Sequence, residues 1–347
     1  MATSSWNAGI IRPVAVAPTG PYQDGAAPGV WTLDQVAFWQ KQGLWPIAGN
    51  IFQVGLLAGI NSTTTVLSVN LTTTGNSTTF GTISTIAQES YACGSSTRFV
   101  IALGFINNTT YSNSLSYATF ASTGSTATFG QLTVNRSAGA SCNSSTRGIF
   151  AGGANGASQS VIDYITIAST GNATSFGLLT ATVYGIAGAS SPTRGVMATG
   201  IASGGNAFGT INYITIASTG NASNFGSLAT ATRYGGGCSN STRALFAGGD
   251  SGPSSYTKQS LIQYITIATT GNSTTFGNLS TGEYAPVGLS SSIYGFFASG
   301  ENTAGNPSNL IEYVTIATTG NATSWGQLTS SAYGKIGAAS NVNGGTQ

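Results

Sequence analysis

The chain has 347 residues, only 5% of them charged, with ten basic and eight acidic side chains, no histidine and a formal net charge of +2. A hydrophobic fraction of 40% is enough for a folded core and unlike the charged, weakly hydrophobic composition of disordered chains. So small a charge excludes strong attraction to nucleic acid or an anionic membrane, and the lack of histidine removes imidazole metal ligands and the usual Ser-His or Cys-His nucleophiles.

The N-terminus has neither the basic start nor the apolar core of a secretory signal. No later stretch approaches the ~20 apolar residues of a spanning helix, so neither export nor membrane insertion is expected. Residues 7–30 carry Pro13, Pro18, Pro21 and Pro28 among Gly and Ala, which predicts an extended arm. One short helix is predicted over 33–42: Thr32 and Gln35 form a capping box, Trp31 and Val36 a hydrophobic staple, and Gly43 a stop. Trp6, Trp31, Trp39 and Trp45 lie in this segment, against Trp325 alone in the rest. With Phe38 they are the expected docking anchors, and a helix that plugs one end of the following domain is the alternative use. The predicted division is a docking arm over 1–50 and a repeat domain over 51–347.

The repeat domain announces itself through an aromatic-Gly pair at Phe80-Gly81, Phe129-Gly130, Phe176-Gly177, Phe225-Gly226, Phe276-Gly277 and Trp325-Gly326, at spacings of 47–51 residues. In a β-type sequence that period predicts propeller blades. Thirteen residues before each glycine stand Ser68, Tyr117, Tyr164, Tyr213, Tyr264 and Tyr313, opening segments such as YITIAST that alternate like a half-buried strand. A T-G-N triplet then predicts a tight reversal through residues tolerant of positive φ. Its asparagines, among them Asn76, Asn172, Asn221, Asn272 and Asn321, begin Asn-x-Ser/Thr triplets that are read as repeat chemistry, not as glycan acceptors.

Twelve residues after each glycine comes a column of small or apolar residues: Cys93, Cys142, Ala189, Cys238, Leu289 and Ala338. All three cysteines share it, and equivalent positions of neighbouring blades are too far apart for a disulfide, so buried free thiols are expected. Five residues further on stand Arg98, Arg147, Arg194 and Arg243, replaced by Tyr294 and Asn343. These arginines are expected to cap carbonyls or stack on rings, with a ring of arginines that binds an acidic ligand as the sharper alternative. A glycine column, Gly59, Gly104, Gly153, Gly200, Gly249 and Gly300, ends the next strand. The first copy begins at that strand and the sixth stops before it, so a six-bladed ring is expected to close by pairing residues around 333–343 with the strand around 51–59.

These glycine-rich strand ends, the following Tyr and the later aromatic resemble kelch-type propellers over roughly residues 50–347. The segment PGVWTLDQVAFWQKQGLWP and phrases such as ITIASTGNATSFG and SNSTRALFAGG are similar to those of structural proteins in tailed-bacteriophage virions. The resemblance implies a tail-fibre or adhesin component, made in the host cytoplasm, whose arm holds baseplate, tail or capsid proteins and whose propeller is displayed, as a homo-oligomer, toward a host-surface glycan or neighbouring subunits. A capsid decoration or head-fibre protein and a non-viral carbohydrate-binding propeller are the alternatives. Loops 105–113, 154–160, 201–209, 250–260 and 301–309 vary, and Phe105, Tyr111, Phe208 and Tyr256 are their candidates for stacking on sugar. The dispersed carboxylates offer no local catalytic pair, so neither enzymatic activity nor a cofactor is expected.

Overall fold

The computed structural model describes residues 53–342 except 254, 255 and 335, together with Ser5–Trp6, Gly9–Ile10 and Asp34. The chain divides into two compact units, Met1–Phe52 and Gln53–Gln347. In the first, Ser5–Trp6 pairs antiparallel with Gly9–Ile10. The expected helix over 33–42, apart from the helical Asp34, and the anchors Trp31, Phe38, Trp39 and Trp45 lie outside the described residues, as does the side chain of Trp6.

The second unit is all-β and propeller-like, with six four-stranded antiparallel sheets. Sheet 3 shows the pattern: Ala140–Asn143, Arg147–Ala151, Val161–Thr166 and Thr174–Leu178, paired in chain order. Sheets 2, 4, 5 and 6 repeat it, beginning at Tyr91, Ala187, Gly236 and Val287. Sheet 1 is composite, because Gly337–Ser340 supplies the first strand beside Val54–Ala58, Thr65–Asn70 and Thr78–Thr82. Here Gly55 opposes Ser340, whereas in sheet 3 Gly148 opposes Asn143. The last copy's small-residue position is therefore Ala339 and not the expected Ala338, and Gly59 matches Gly152, one place before the expected column.

The YITIAST segments alternate as expected, with Ile165 and Ile167 buried and Thr166 and Ala168 exposed, while the second strands of the sheets are covered on both faces. In sheet 3, Ile149, Ile162 and Phe176 pack with Met197 and Ile214 of sheet 4, while Phe150, Ile165 and Ile167 pack with Val100 and Phe129 of sheet 2. Side chains alternate between two cores, one per face.

One junction recurs from sheet to sheet. The amide of the T-G-N glycine, T-G-S in the second copy, donates to the aromatic carbonyl of the preceding sheet, from Gly124 N to Phe80 O (3.0 Å) through Gly320 N to Phe276 O (3.0 Å), and Gly75 N donates to Trp325 O (3.1 Å). The asparagine Oδ1 accepts the amide just after the aromatic-Gly pair, as between Gln131 N and Asn172 (3.1 Å) and between Gln327 N and Asn76 (3.0 Å). None of these asparagines has positive φ, and Gly171, Gly271 and Gly320 also lie outside the left-handed region. The expected tight reversal at T-G-N is thus corrected: the chain turns just before it, where Ser169 N bonds Thr166 O (3.3 Å), and T-G-N itself is a clasp on the neighbouring sheet.

Small residues are matched across the same junctions. A Cβ on Gly148 would lie 2.5 Å from Cys93 Sγ, one on Gly195 2.4 Å from Cys142 Sγ, and one on Gly295 2.5 Å from Cys238 Sγ. The thiols are free and buried, each a knob over a glycine of the next sheet. Burial pushes the Cys142 thiol up to about 12, and those of Cys93 and Cys238 higher still, so they are inert apolar fillers. Leu289 similarly fills the space over Gly55, 2.7 Å from its would-be Cβ.

A further line of bonds links the first strands of successive sheets. Asn143 N donates to Ser190 Oγ (3.3 Å), Ser190 N to Ser239 Oγ (3.1 Å), Ser239 N to Ser290 Oγ (2.9 Å) and Ser290 N to Ser340 Oγ (3.4 Å). Four consecutive junctions share this serine link.

Candidate functional site

By the antiparallel order, the loops after each second strand and the linkers between sheets emerge at one end of the sheets, and the arginine turns and T-G-N hairpins at the other. At the arginine end, Arg98, Arg147, Arg194 and Arg243 lie over Tyr117, Tyr164, Tyr213 and Tyr264 at 4.8, 4.3, 4.6 and 4.8 Å from the ring centroids. Their Nη1 atoms donate to Ile167 O (3.1 Å), Ile216 O (2.9 Å), Ile267 O (2.8 Å) and Ile316 O (3.2 Å) of the following sheets. This is the capping and stacking use, and these contacts give the arginines a structural role that the anion-ring alternative does not need. In sheet 6 Tyr294 takes the arginine's place and packs on Tyr313 (5.2 Å) and Trp325 (5.9 Å), while Trp325 Nε1 donates to Asn70 O (3.0 Å). The lone tryptophan of the repeats so replaces a missing arginine latch.

At the opposite end, each linker contains one residue with positive φ: Glu89 (48°), Ala138 (53°), Gly185 (65°), Tyr234 (53°), Ala285 (55°) and Gly334 (79°). The backbone is repeated and the residue type is not. Ala138 N donates to Glu89 O (2.7 Å), Gly185 N to Ala138 O (2.7 Å) and Tyr234 N to Gly185 O (3.0 Å). Four of the six positions carry Gly or Ala, whereas Glu89 and Tyr234 place large polar side chains on left-handed backbone, a conformation that costs of order 1–3 kcal/mol and recurs at functional sites.

These two exceptions meet. Tyr234 Oη donates to Glu89 Oε1 (3.5 Å), and Ser137 Oγ donates to Glu89 Oε2 (2.6 Å). Tyr234 also stands between Tyr184 (6.2 Å) and Tyr284 (5.2 Å) in a row of three phenols. Burial raises the phenol pKa of Tyr234 and Tyr284, so both remain protonated donors. Two of these phenols, Tyr184 and Tyr234, line a cleft of about 540 Å³ together with Glu89, Tyr111, Ser158, Ile201 and the Gly204–Gly205 turn. Gly156 (φ 91°) and Gly205 (φ 82°) of its lining have left-handed backbone, which favours glycine, and nothing lies within 4 Å of a Cβ built on either. Neither a family model nor a curated protein sequence matches this chain.

Of the predicted loop aromatics, Tyr111 reaches the cleft, backed by Phe105 at 5.1 Å, while Phe208 is packed against the core between sheets 3 and 4. Tyr256 is 62% exposed and lies under Arg233, 4.9 Å from its guanidinium carbon. Arg233 is paired with Asp250 (2.5 and 2.7 Å) and donates to Gly205 O (3.2 Å), so it ties loop 250–260 to the cleft's glycine turn. Lys258 and Glu301 (2.7 Å) tie the next two loops. Sequence reasoning missed Glu89, Tyr184 and Tyr234 because they belong to columns without a shared residue type. For Glu89 and Tyr234 the signal was their size where other copies carry Gly or Ala, and Tyr184, matched by Tyr284 and Tyr333, gave none.

A second buried polar column lies one residue before the repeat tyrosine: Ser116, Asp163, Asn212, Gln263 and Glu312, all under 5% exposed. Its members accept amides of the preceding linker, Asp163 from Thr133 (3.2 Å), Asn212 from Thr180 (3.1 Å), Gln263 from Thr230 (2.9 Å) and Glu312 from Ser280 (3.0 Å). Beside Asp163 sits Arg136 (2.9 Å), both at 0% exposure, and the repeat-equivalent neighbour of Glu312 is Glu283. Among the described residues no group of Cys, Asp or Glu is arranged to hold a metal ion.

Burial, with the Glu312 carboxylate adding to it against a bond from Ser308, pushes Glu283 up from 4.5 to about 7. The folded protein therefore binds an extra proton between these values, and stability is full below pH 4.5 and falls as pH rises to about 7. Glu283→Gln is expected to remove most of that fall, about 3 kcal/mol at its largest, and to be the more stable protein above pH 7. Urea midpoints measured from pH 4.5 to pH 8 on both proteins check this, and parallel pH profiles would contradict it.

Proposed function

We propose that the second unit is a closed six-bladed kelch-like β-propeller, and that the chain is a virion structural protein of a tailed bacteriophage, of tail-fibre or adhesin type. Residues 1–50 dock it to the particle and the propeller is displayed toward the host surface or neighbouring subunits. The reading of six closed blades is supported by the clasp that joins successive sheets and also joins Gly75 to Trp325. The observation that carries the display reading is the separation of the two ends. One end is occupied by repeated latches, while the other presents variable loops braced by ion pairs around an aromatic cleft. Rigid and variable at one end is what a recognition surface requires.

The virion setting rests on the sequence resemblance, and it is tested on particles. Deleting residues 1–45 is expected to remove the protein from purified particles while the thermal unfolding midpoint of the truncated protein stays that of the whole chain. Incorporation of the truncated protein, or absence of the whole chain from particles, would overturn the docking role. Unfolding on truncation would instead identify the segment as a plug.

A further inference from the structure

We propose that the cleft between Tyr111 and Tyr184 is a saccharide site for an uncharged pyranose. The proposal gives the displayed end a ligand and so rests on the display reading. Two residues that break the repeat meet here, Glu89 and Tyr234, the two large side chains of the positive-φ column, and Tyr184, from a column that also carries Tyr284 and Tyr333, joins them in the cleft lining. Glu89 and Tyr234 are departures that the frame does not need, since Gly or Ala forms the same backbone in the other copies.

The chemistry matches a sugar ring. Tyr111 and Tyr184 are half-buried, each held from behind by another ring, Phe105 and Tyr234 respectively, so they are fixed apolar walls that need no ordering on binding. The C–H face of a pyranose is apolar and its rim is a circle of hydroxyls, which requires such walls together with converging acceptors and donors. Glu89 offers carboxylate oxygens, Tyr234 a phenol and Ser158 a hydroxyl at the same cleft. A volume of about 540 Å³ lies within the usual range for small-molecule sites. Its described lining holds one carboxylate and no Lys or Arg, which opposes a uronic or sialic acid.

The test is calorimetric titration of the whole purified chain with maltotetraose, mannotetraose, chitotetraose and, as the acidic probe, tetragalacturonate. At least one neutral probe is expected to bind with a millimolar or lower Kd, and Tyr111→Ala and Tyr184→Ala each to weaken it about ten-fold or more. Tyr111→Phe retains the ring and is expected to retain binding, as is Tyr256→Ala, whose ring lies under Arg233 outside the cleft lining. Failure of every neutral probe, equal binding of the acidic one, or affinity unmoved by both alanine variants would overturn the site. Such a failure leaves the dependence of particle incorporation on residues 1–45 intact. Conversely, sugar binding through Tyr111 and Tyr184 by a protein missing from particles keeps the site and overturns its virion setting.

Discussion

Gly277→Ala is expected to be among the most damaging single-methyl changes in the protein, while Gly271→Ala, in the T-G-N clasp six residues earlier, is expected to be nearly silent. A Cβ on Gly277 would lie 2.0 Å from Gly320 O, 2.4 Å from its carbonyl carbon and 2.9 Å from Asn321 N. All three are backbone atoms of the next sheet, so no side-chain rotation relieves the contact. Opening the junction would weaken Gly320 N to Phe276 O (3.0 Å), Ala322 N to Asn278 O (2.8 Å) and Asn278 N to Asn321 Oδ1 (3.0 Å). Overpacking costs typically 1–3 kcal/mol and each lost bond about 1 kcal/mol, for a total of about 4 kcal/mol. Around Gly271 nothing lies within 4 Å and its φ is not left-handed, so alanine there should stay within about 0.5 kcal/mol of the parent. Chemical denaturation of the two variants decides it: equal midpoints would show that the junction is softer than its geometry implies.

Arg136→Val is expected to destabilise by about 3–5 kcal/mol, because it leaves the fully buried Asp163 carboxylate without its cation. The protein contains its own remedy. At the equivalent positions of the next repeat stand Val183 and Asn212, and Asn212 Oδ1 accepts the amide (3.1 Å) and hydroxyl (2.7 Å) of Thr180 just as Asp163 accepts those of Thr133. The double variant Arg136→Val/Asp163→Asn should therefore recover most of the loss, since an apolar replacement of a buried ion pair is often neutral. A residual cavity where the long arginine stem lay limits the recovery. If the double variant is no more stable than Arg136→Val alone, the charge on Asp163 is not what the arginine compensates.

The repeat, its strands and the pairing of the chain's two ends could be read in the sequence because each rests on residue types that recur: a glycine where a neighbouring carbonyl presses, a tyrosine under an arginine, a cysteine over a glycine. The cleft could not. Its defining column, Glu89 to Gly334, shares a backbone angle and no side chain, and its walls come from three different loops. The asparagines were legible as repeat residues, yet their physical use was misplaced. A T-G-N triplet in isolation signals a turn, and only a second sheet at hydrogen-bond distance makes it a clasp. The buried acceptor column was hidden for a similar reason. Asp163, Asn212, Gln263 and Glu312 have in common an oxygen that accepts a linker amide, a property that residue-by-residue comparison does not register.

The knobs over glycines carry an order. Cys93, Cys142 and Cys238 face glycines, Leu289 faces Gly55, and Ala339 shares a core with Phe99, so the bulk lost on one side of a junction is supplied by the other. A repeat transplanted to another place would set leucine against alanine, or alanine over an empty glycine. In open solenoids near-identical interfaces let arrays gain or lose units freely. Here the Cys-over-Gly junctions are interchangeable, while the Leu289–Gly55 and Ala339–Phe99 junctions are matched by volume to their own neighbours, and a repeat moved into either of those would have to change a surface to be accommodated.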